Sequence, residues 1–499
     1  MYSGQCSATH SEYQQAVQAW QDNRLPRGGE FELQKIFAAK GANSAIDRMI
    51  QRYRKEYHLD EPKEELYQTY EYIDRWEQLS DELKSDRLPI QGPEAFQTAI
   101  LQEEDEAKRK QLYLEKYSNS REFANSFLEL RGARNNYAKA KGFSNFYEMM
   151  LNERFGLSPQ EIDPVLDKLQ MACSPWINIL ETSLKNYTSD SPIPAYNYAY
   201  LWTKTLKASF PEFQALDYQH VIGSLENFLH KVGLFSEYRS VYIDDEPRPA
   251  KSLPGFIPSE SLPGIEISGY VLYDLSLKTI KNMVDIIHEI FHGIHLASMD
   301  QRLPYILRKP QVGDEILGEM PPIFSEELIF AILFPDVKSN AFIDQYNYAD
   351  MLAKMTRWTA TIEILRMEKF MYENPQSTID EVNDQYSLVK KALNPQMADP
   401  PPGAYEWANN IYYWLYPVYT LGHLYGGLFA AEVQKAGLDK FGSISSSQFI
   451  KWFKKNFLDP GFSQDWQTLY QKAFKKPFNP EYFFTKSEEE LNKLTIMKS

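Results

Sequence analysis

Residues 277–297 read LKTIKNMVDIIHEIFHGIHLA. Apolar side chains recur at three- and four-residue steps through Met283, Val284, Ile287, Ile290, Phe291 and Ile294, the period of a helix with one buried face. Into this pattern the chain sets His288, Glu289 and His292, the spacing H-E-x-x-H. Residues i and i+4 share a helix face, so both imidazoles can reach one ion, with Glu289 beside them to polarise a water on it. With 8 histidines in 499 residues, a chance match is expected in roughly 1 in 100 such chains. Three of the eight, His288, His292 and His295, fall within eight residues. Buried imidazoles need partners, and a metal is the simplest common one. His295 reads as a ligand, a substrate contact or a supporting group, with core packing as the plainer alternative. Asp285, three positions before His288, either orients an imidazole or lies exposed near the helix start.

A catalytic zinc site uses three protein ligands and one open position. No nearby histidine supplies the third, so a downstream carboxylate is expected among Asp314, Glu315, Glu319, Glu326 and Glu327. Glu319 is preferred, because Pro321-Pro322 favour a first helical turn and an apolar run at 323–334 follows. This predicts a carboxylate at the entry of a second helix packed on the first.

Outward from this centre, the first half reads as helices over 11–24, 44–58, 62–84, 94–117 and 118–141, with Gly142 as a stop. Another helix starts at Pro159 after a Ser158 cap. The segment 246–264, rich in Pro, Ser and Gly, reads as loop, and 264–275 reads as a short strand. A second break at 394–404 contains three consecutive prolines, and helix resumes after it. The expected organisation is an N-terminal helical part, 1–245, and a metal-binding helical part, 246–499, with a small β element before the metal helix.

Hydrophobic residues at 43%, with 24% charged, are enough for a large core and exclude a disordered chain. The net charge of −15 argues against a nucleic-acid or anionic-membrane partner, since phosphate contacts need clustered Lys and Arg. No apolar run is long enough to span a bilayer. Two cysteines, Cys6 and Cys173, make no disulfide framework, and no signal peptide is visible. The default compartment is the cytoplasm, with an exported mature form as the alternative; the oligomeric state is left open.

HEIFHGIH at 288–295 followed by GEMPPIFSEE at 318–327 resembles the thimet oligopeptidase and oligoendopeptidase F pattern, a zinc helix followed by a glutamate ligand at a Pro-containing helix start. YPVYTLGHLY at 416–425, ILRME at 364–368 and NPEYFF at 479–484 are similar to carboxypeptidase Taq. Tyr416-x-x-Tyr419 resembles the tyrosine pair of angiotensin-converting enzyme, and ARNNYAKAKGFSNFYEMM at 133–150 resembles a segment found across these groups. Phe291 stands where such families carry glycine, a bulk expected to crowd the next helix. The carboxypeptidase signatures around the third ligand and before the zinc helix are missing, which favours an oligopeptidase.

The resemblance implies a mainly α, gluzincin-like ellipsoid split by a deep channel that admits short unstructured peptides. It implies one zinc per chain on His288, His292 and Glu319, with Glu289 as general base. Tyr419 would stabilise the oxyanion, and Tyr416, His295 and His423 would contact substrate. The strand within 264–275 would pair with an extended peptide by edge addition. Arg366 would pair with a carboxylate, structural or of substrate. The alternatives are a carboxypeptidase Taq-like metallocarboxypeptidase and a catalytically silent peptide- or metal-binding descendant.

Overall fold

The computed structural model describes residues 99–209, 218–245, 255–258, 268–272, 280–303, 307–311, 313–337 and 339–498. The helices expected at 11–24, 44–58 and 62–84, and most of 246–264, lie outside the described residues. The rest is mainly helical. One apolar core runs from Phe123 near one end of it to Phe484 near the other.

Helix α1 (Ser120–Ala140) buries Phe123, Phe127, Leu130 and Ala138, which recur on one face. It ends as expected at Gly142, whose φ of 91° only glycine adopts without strain. Helix α2 (Pro159–Leu184) starts with proline at its first position, and the Glu161 carboxylate accepts from the Ser158 N–H at 2.9 Å.

Three short strands follow: β1 (Val241–Asp244), β2 (Gly255–Pro258) and β3 (Gly269–Leu272). β1 pairs parallel to β3 in the register Val241↔Gly269, and β2 pairs antiparallel to it in the register Gly255↔Leu272. This corrects two expectations. Residues 255–258 form a strand inside a stretch expected to be loop, because sheet pairing outweighs the local Pro and Gly content. The strand expected within 264–275 is the middle of the sheet, with both edges occupied. It cannot add a peptide strand; β1 and β2 are the outer strands.

Four helices build the site: α3 (Ile280–Ser298), α4 (Glu315–Leu333), α5 (Asn340–Glu373) and α6 (Thr420–Phe441). α3 buries Ile286, Ile287, Ile290, Phe291 and Ile294, so the Phe291 ring is absorbed by the core. The sheet lies against α3 at Gly293, where a β-carbon would collide with Val241 and press on Phe256.

α4 starts four residues earlier than Pro321-Pro322 suggested. Glu315 is its first residue, Glu319 lies a full turn inside, and both prolines are interior. They leave the carbonyls of Leu317 and Gly318 without their usual helical donors. The upstream EILG segment is drawn into the helix because Ile316 and Leu317 are buried. The α4–α6 seam is the closest helix contact near the site. A β-carbon on Gly422 would collide with that of Glu315, and one on Gly426 would lie 3.1 Å from that of Glu319.

Candidate metal centre

His288 and His292 lie one turn apart on α3, with ring centroids 5.1 Å apart. With Glu289 they can present three donor atoms within 4.8 Å of one another. From α4, Glu319 directs Oε2 to 3.4 Å from His288 Nε2 and 3.7 Å from His292 Nε2. From α6, His423 Nε2 approaches the same oxygen at 3.4 Å. That oxygen is buried and no group meets it with good hydrogen-bond geometry, so the three imidazoles converge on it at long range. Donors bound at about 2.0–2.1 Å around a tetrahedral ion are separated by about 3.3 Å. Two imidazole nitrogens and a carboxylate oxygen at such separations fit a divalent ion of the zinc type. Glu289 and Glu319 both stand near the two imidazoles. Of the two, Glu319 is the one with a buried oxygen that faces both imidazoles.

The supporting groups are specific. His288 Nδ1 lies 2.9 Å from Glu326 Oε1, and Arg357 donates to both oxygens of Glu326 at 2.9 Å. A carboxylate behind a ligating imidazole fixes its tautomer and raises its basicity. Glu326 is thus the carboxylate behind His288 Nδ1. Two of the other acids considered as third ligand are engaged elsewhere: Glu315 accepts from Arg154 at 2.7 Å, and Glu327 from Lys354 at 2.6 Å. Tyr419 donates to Glu319 Oε1 at 2.7 Å, so its hydroxyl rests on the carboxylate.

Electrostatics follow from burial and this geometry. Burial lowers the pKa of His288, but Glu319 and Glu326 outweigh it and raise the ring to about 10. Burial pushes His292 down to about 4 and also lowers His423. Glu319 sits well below the usual carboxylate range, because His423, His292 and His288 outweigh its desolvation. Burial, reinforced by Glu319, holds the Tyr419 hydroxyl protonated as a donor. His292 and His423, held neutral beside the ionised Glu319, are in the protonation state a metal requires, while a cation bound at His288 would have to displace the proton that Glu319 and Glu326 favour there.

The remaining expected residues are distributed as follows. Tyr416 packs 5.6 Å from the Tyr419 ring. His295 is buried edge-on against Phe462, with its pKa lowered to about 3 by burial. Arg366 bonds Asp167 at 2.8 Å, a structural pair between α5 and α2. Arg357 had no sequence signal; Glu368, the last residue of the 364–368 stretch, is buried and its Oε1 accepts the Val418 N–H at 2.7 Å.

No family model matches the chain, and no curated protein sequence matches it. Solved structures do. PZ peptidase A, solved with an inhibitor, superposes with a TM-score of 0.71 at 11% identity, covering 97% of this chain and 88% of that one. A protein assigned as oligoendopeptidase F of Bacillus anthracis str. Ames gives 0.60 at 12% identity, covering 98% and 80%. BsuCP gives 0.60 at 13%, covering 93% and 88%. The chain shares the mainly α fold of these structures. Within this fold α3 and α4 bring the two imidazoles and the carboxylate together, and α6 adds the tyrosine and a third imidazole. Among the described residues no helix is long and apolar enough to cross a membrane.

Proposed function

We propose that this protein is a zinc-dependent oligopeptidase that hydrolyses short unstructured peptides. The observation behind this reading is the buried Glu319 Oε2, which faces His288 Nε2 at 3.4 Å and His292 Nε2 at 3.7 Å and which no group meets with good hydrogen-bond geometry. The chemistry a bound ion supplies is Lewis acidity, which lowers the pKa of water and polarises the scissile carbonyl. Glu289 takes the proton of the attacking water and delivers it to the leaving amine nitrogen. Tyr419 donates its hydroxyl proton to the developing oxyanion, leaving its resting partner Glu319 to do so. Tyr416 lines the same approach, and the buried His295 supports α3 from within.

An extended peptide would bind along β2. Among the described residues β2 pairs only with β3, and its Phe256 stacks 5.6 Å from the His292 ring at 16°. The parts 1–245 and 246–499 would form the walls of the channel, in a protein of the cytoplasm.

The test is cleavage of a quenched peptide library. Turnover should stop with a chelator, return with zinc, and vanish in Glu289→Gln while the metal stays bound. Zinc-loaded protein that cleaves no peptide would sink the reading. Mapping the products separates internal cleavage from removal of C-terminal residues, the alternative supported by the 416–425 and 364–368 stretches.

A further inference from the structure

Arg154 is a buried cation that the proposed chemistry does not use. It lies in a single π-helical turn, Leu151–Phe155, closed by Gly156 at φ 65°. Leu151 and Phe155 are buried, and the Arg154 side chain is 8% exposed. A guanidinium so far from water has to be met by acceptors, and those of Arg154 lie on two separate elements. Nε and Nη2 reach Glu315 Oε1 at 2.7 and 2.5 Å, and Nη1 donates to Pro417 O at 2.8 Å. We propose that Arg154 is a positioning residue, which sets the Tyr419 hydroxyl against Glu319 and so against the reacting carbonyl. This deepens the oligopeptidase reading above and rests on it.

Three observations carry it. The first is where the guanidinium grips. Glu315 is one helical turn before Glu319 on α4, and Pro417 is two residues before Tyr419. One side chain thus ties the helix of the candidate ligand to the turn of the candidate donor, and Tyr419 donates to Glu319 Oε1 at 2.7 Å across that tie. The second is that the turn does not keep its shape unaided. Val418, between Pro417 and Tyr419, sits at φ 60°, a left-handed conformation that a β-branched residue adopts only when its surroundings impose it. They do so from both sides: Glu368 Oε1 accepts the Val418 N–H at 2.7 Å, and Arg154 takes the carbonyl before it. The third is that the guanidinium carbon lies 5.8 Å from the centroid of the Tyr419 ring, within cation–π range.

Tyr419 has to release Glu319 when it turns to the oxyanion, so its resting hydrogen bond does not hold it during the reaction. The Arg154 contacts persist through that exchange, because none of them uses the hydroxyl. Misplacing such a group by about 1 Å can cost about a hundredfold in rate.

The test is a double-mutant cycle on the zinc-loaded full chain, with kcat and KM read on a quenched peptide that the wild type cleaves. Arg154→Met is expected to lower kcat by at least about tenfold, with KM little changed and zinc still bound. In a Tyr419→Phe background the same substitution should change kcat by less than about twofold, because the group it positions is gone. Equal effects in the two backgrounds, loss of bound zinc, or a rise in KM alone would overturn the inference. Undiminished turnover in Tyr419→Phe would overturn it as well. Arg154→Lys keeps the charge but cannot span both acceptors, so it should show the same dependence on background, and it replaces the Met variant if that one does not fold. If neither folds, Arg154 supports the fold alone and the inference fails. These failures leave chelator-sensitive cleavage by the wild type intact. Zinc-loaded wild type that cleaves no peptide would instead remove the oligopeptidase reading, and this inference with it.

Discussion

His288 shows how much of the centre depends on single contacts. Its Nδ1 faces Glu326, and Arg357 holds Glu326 through both oxygens. Removing the charge behind a ligating imidazole typically costs 10–100-fold in metal affinity. Glu326→Gln is therefore expected to weaken zinc binding by at least about tenfold, measured by chelator competition, without changing the ligand set. Glu368 governs a different residue-scale property. Burial raises its carboxyl to about 8, against the opposing pull of the Val418 N–H and of Arg134 and Arg154. The acid's folded pKa is above its unfolded value, so the folded state holds the extra proton. That stability is complete below about pH 4.5 and is lost as pH rises to about 8, a cost on the order of a few kcal/mol. Glu368→Gln should flatten the fall in Tm between pH 5 and 8; an unchanged slope would show that another group titrates there. The carbonyl of Gln can still accept the N–H of Val418, a β-branched residue held at φ 60°.

At the scale of elements, the α4–α6 seam decides where Glu319, Tyr419 and His423 meet. A methyl on Gly422 would collide with the β-carbon of Glu315, which is not the far end of a flexible side chain. Gly422→Ala should force the helices apart and cost about 1–3 kcal/mol by urea denaturation. It should also weaken zinc binding, whereas Gly318→Ala, with nothing near its added methyl, should not. Sequence periodicity was sufficient for α1, α2 and α3, because each carries its apolar stripe, cap or stop locally. It misplaced the start of α4. Pro321-Pro322 look like a helix entry in isolation, but burial of Ile316 and Leu317 extends the helix a turn upstream. It also took the middle strand of the sheet for an edge, since no local signal states which strands will pair.

Across the whole molecule, cationic side chains fasten distant segments to one another. Arg134 of α1 donates to the carbonyls of Tyr413 at 2.7 Å and Trp414 at 2.6 Å. Arg154 donates to Pro417 O at 2.8 Å and to Glu315 at 2.7 Å. Together they hold the turn that carries Tyr416 and Tyr419. Arg134→Met leaves two buried carbonyls without donors and should cost about 2–5 kcal/mol. Because the turn presents Tyr419, turnover should fall even at temperatures where the variant stays folded. Metal removal acts on the same scale. An ion that binds only the folded chain stabilises it by mass action, about 2.7 kcal/mol at a hundredfold excess over Kd. A chelator should therefore lower Tm in the wild type and leave it unchanged in His288→Ala.

By itself the sequence determined α3, the paired imidazoles with Glu289, and a mainly helical fold. Those features rest on spacings of one to four residues, which backbone geometry converts directly into shared faces. Glu319 was legible as a candidate because it lies a short way downstream in the next helix, although Pro321-Pro322 do not mark that helix's entry. Only the tertiary structure decided that Glu326 and Arg357 stand behind His288, that β2 borders His292, and that His423 closes on the same oxygen. These partners are separated along the chain by tens of residues or more, and helix and sheet packing, not local periodicity, determines which of them meet.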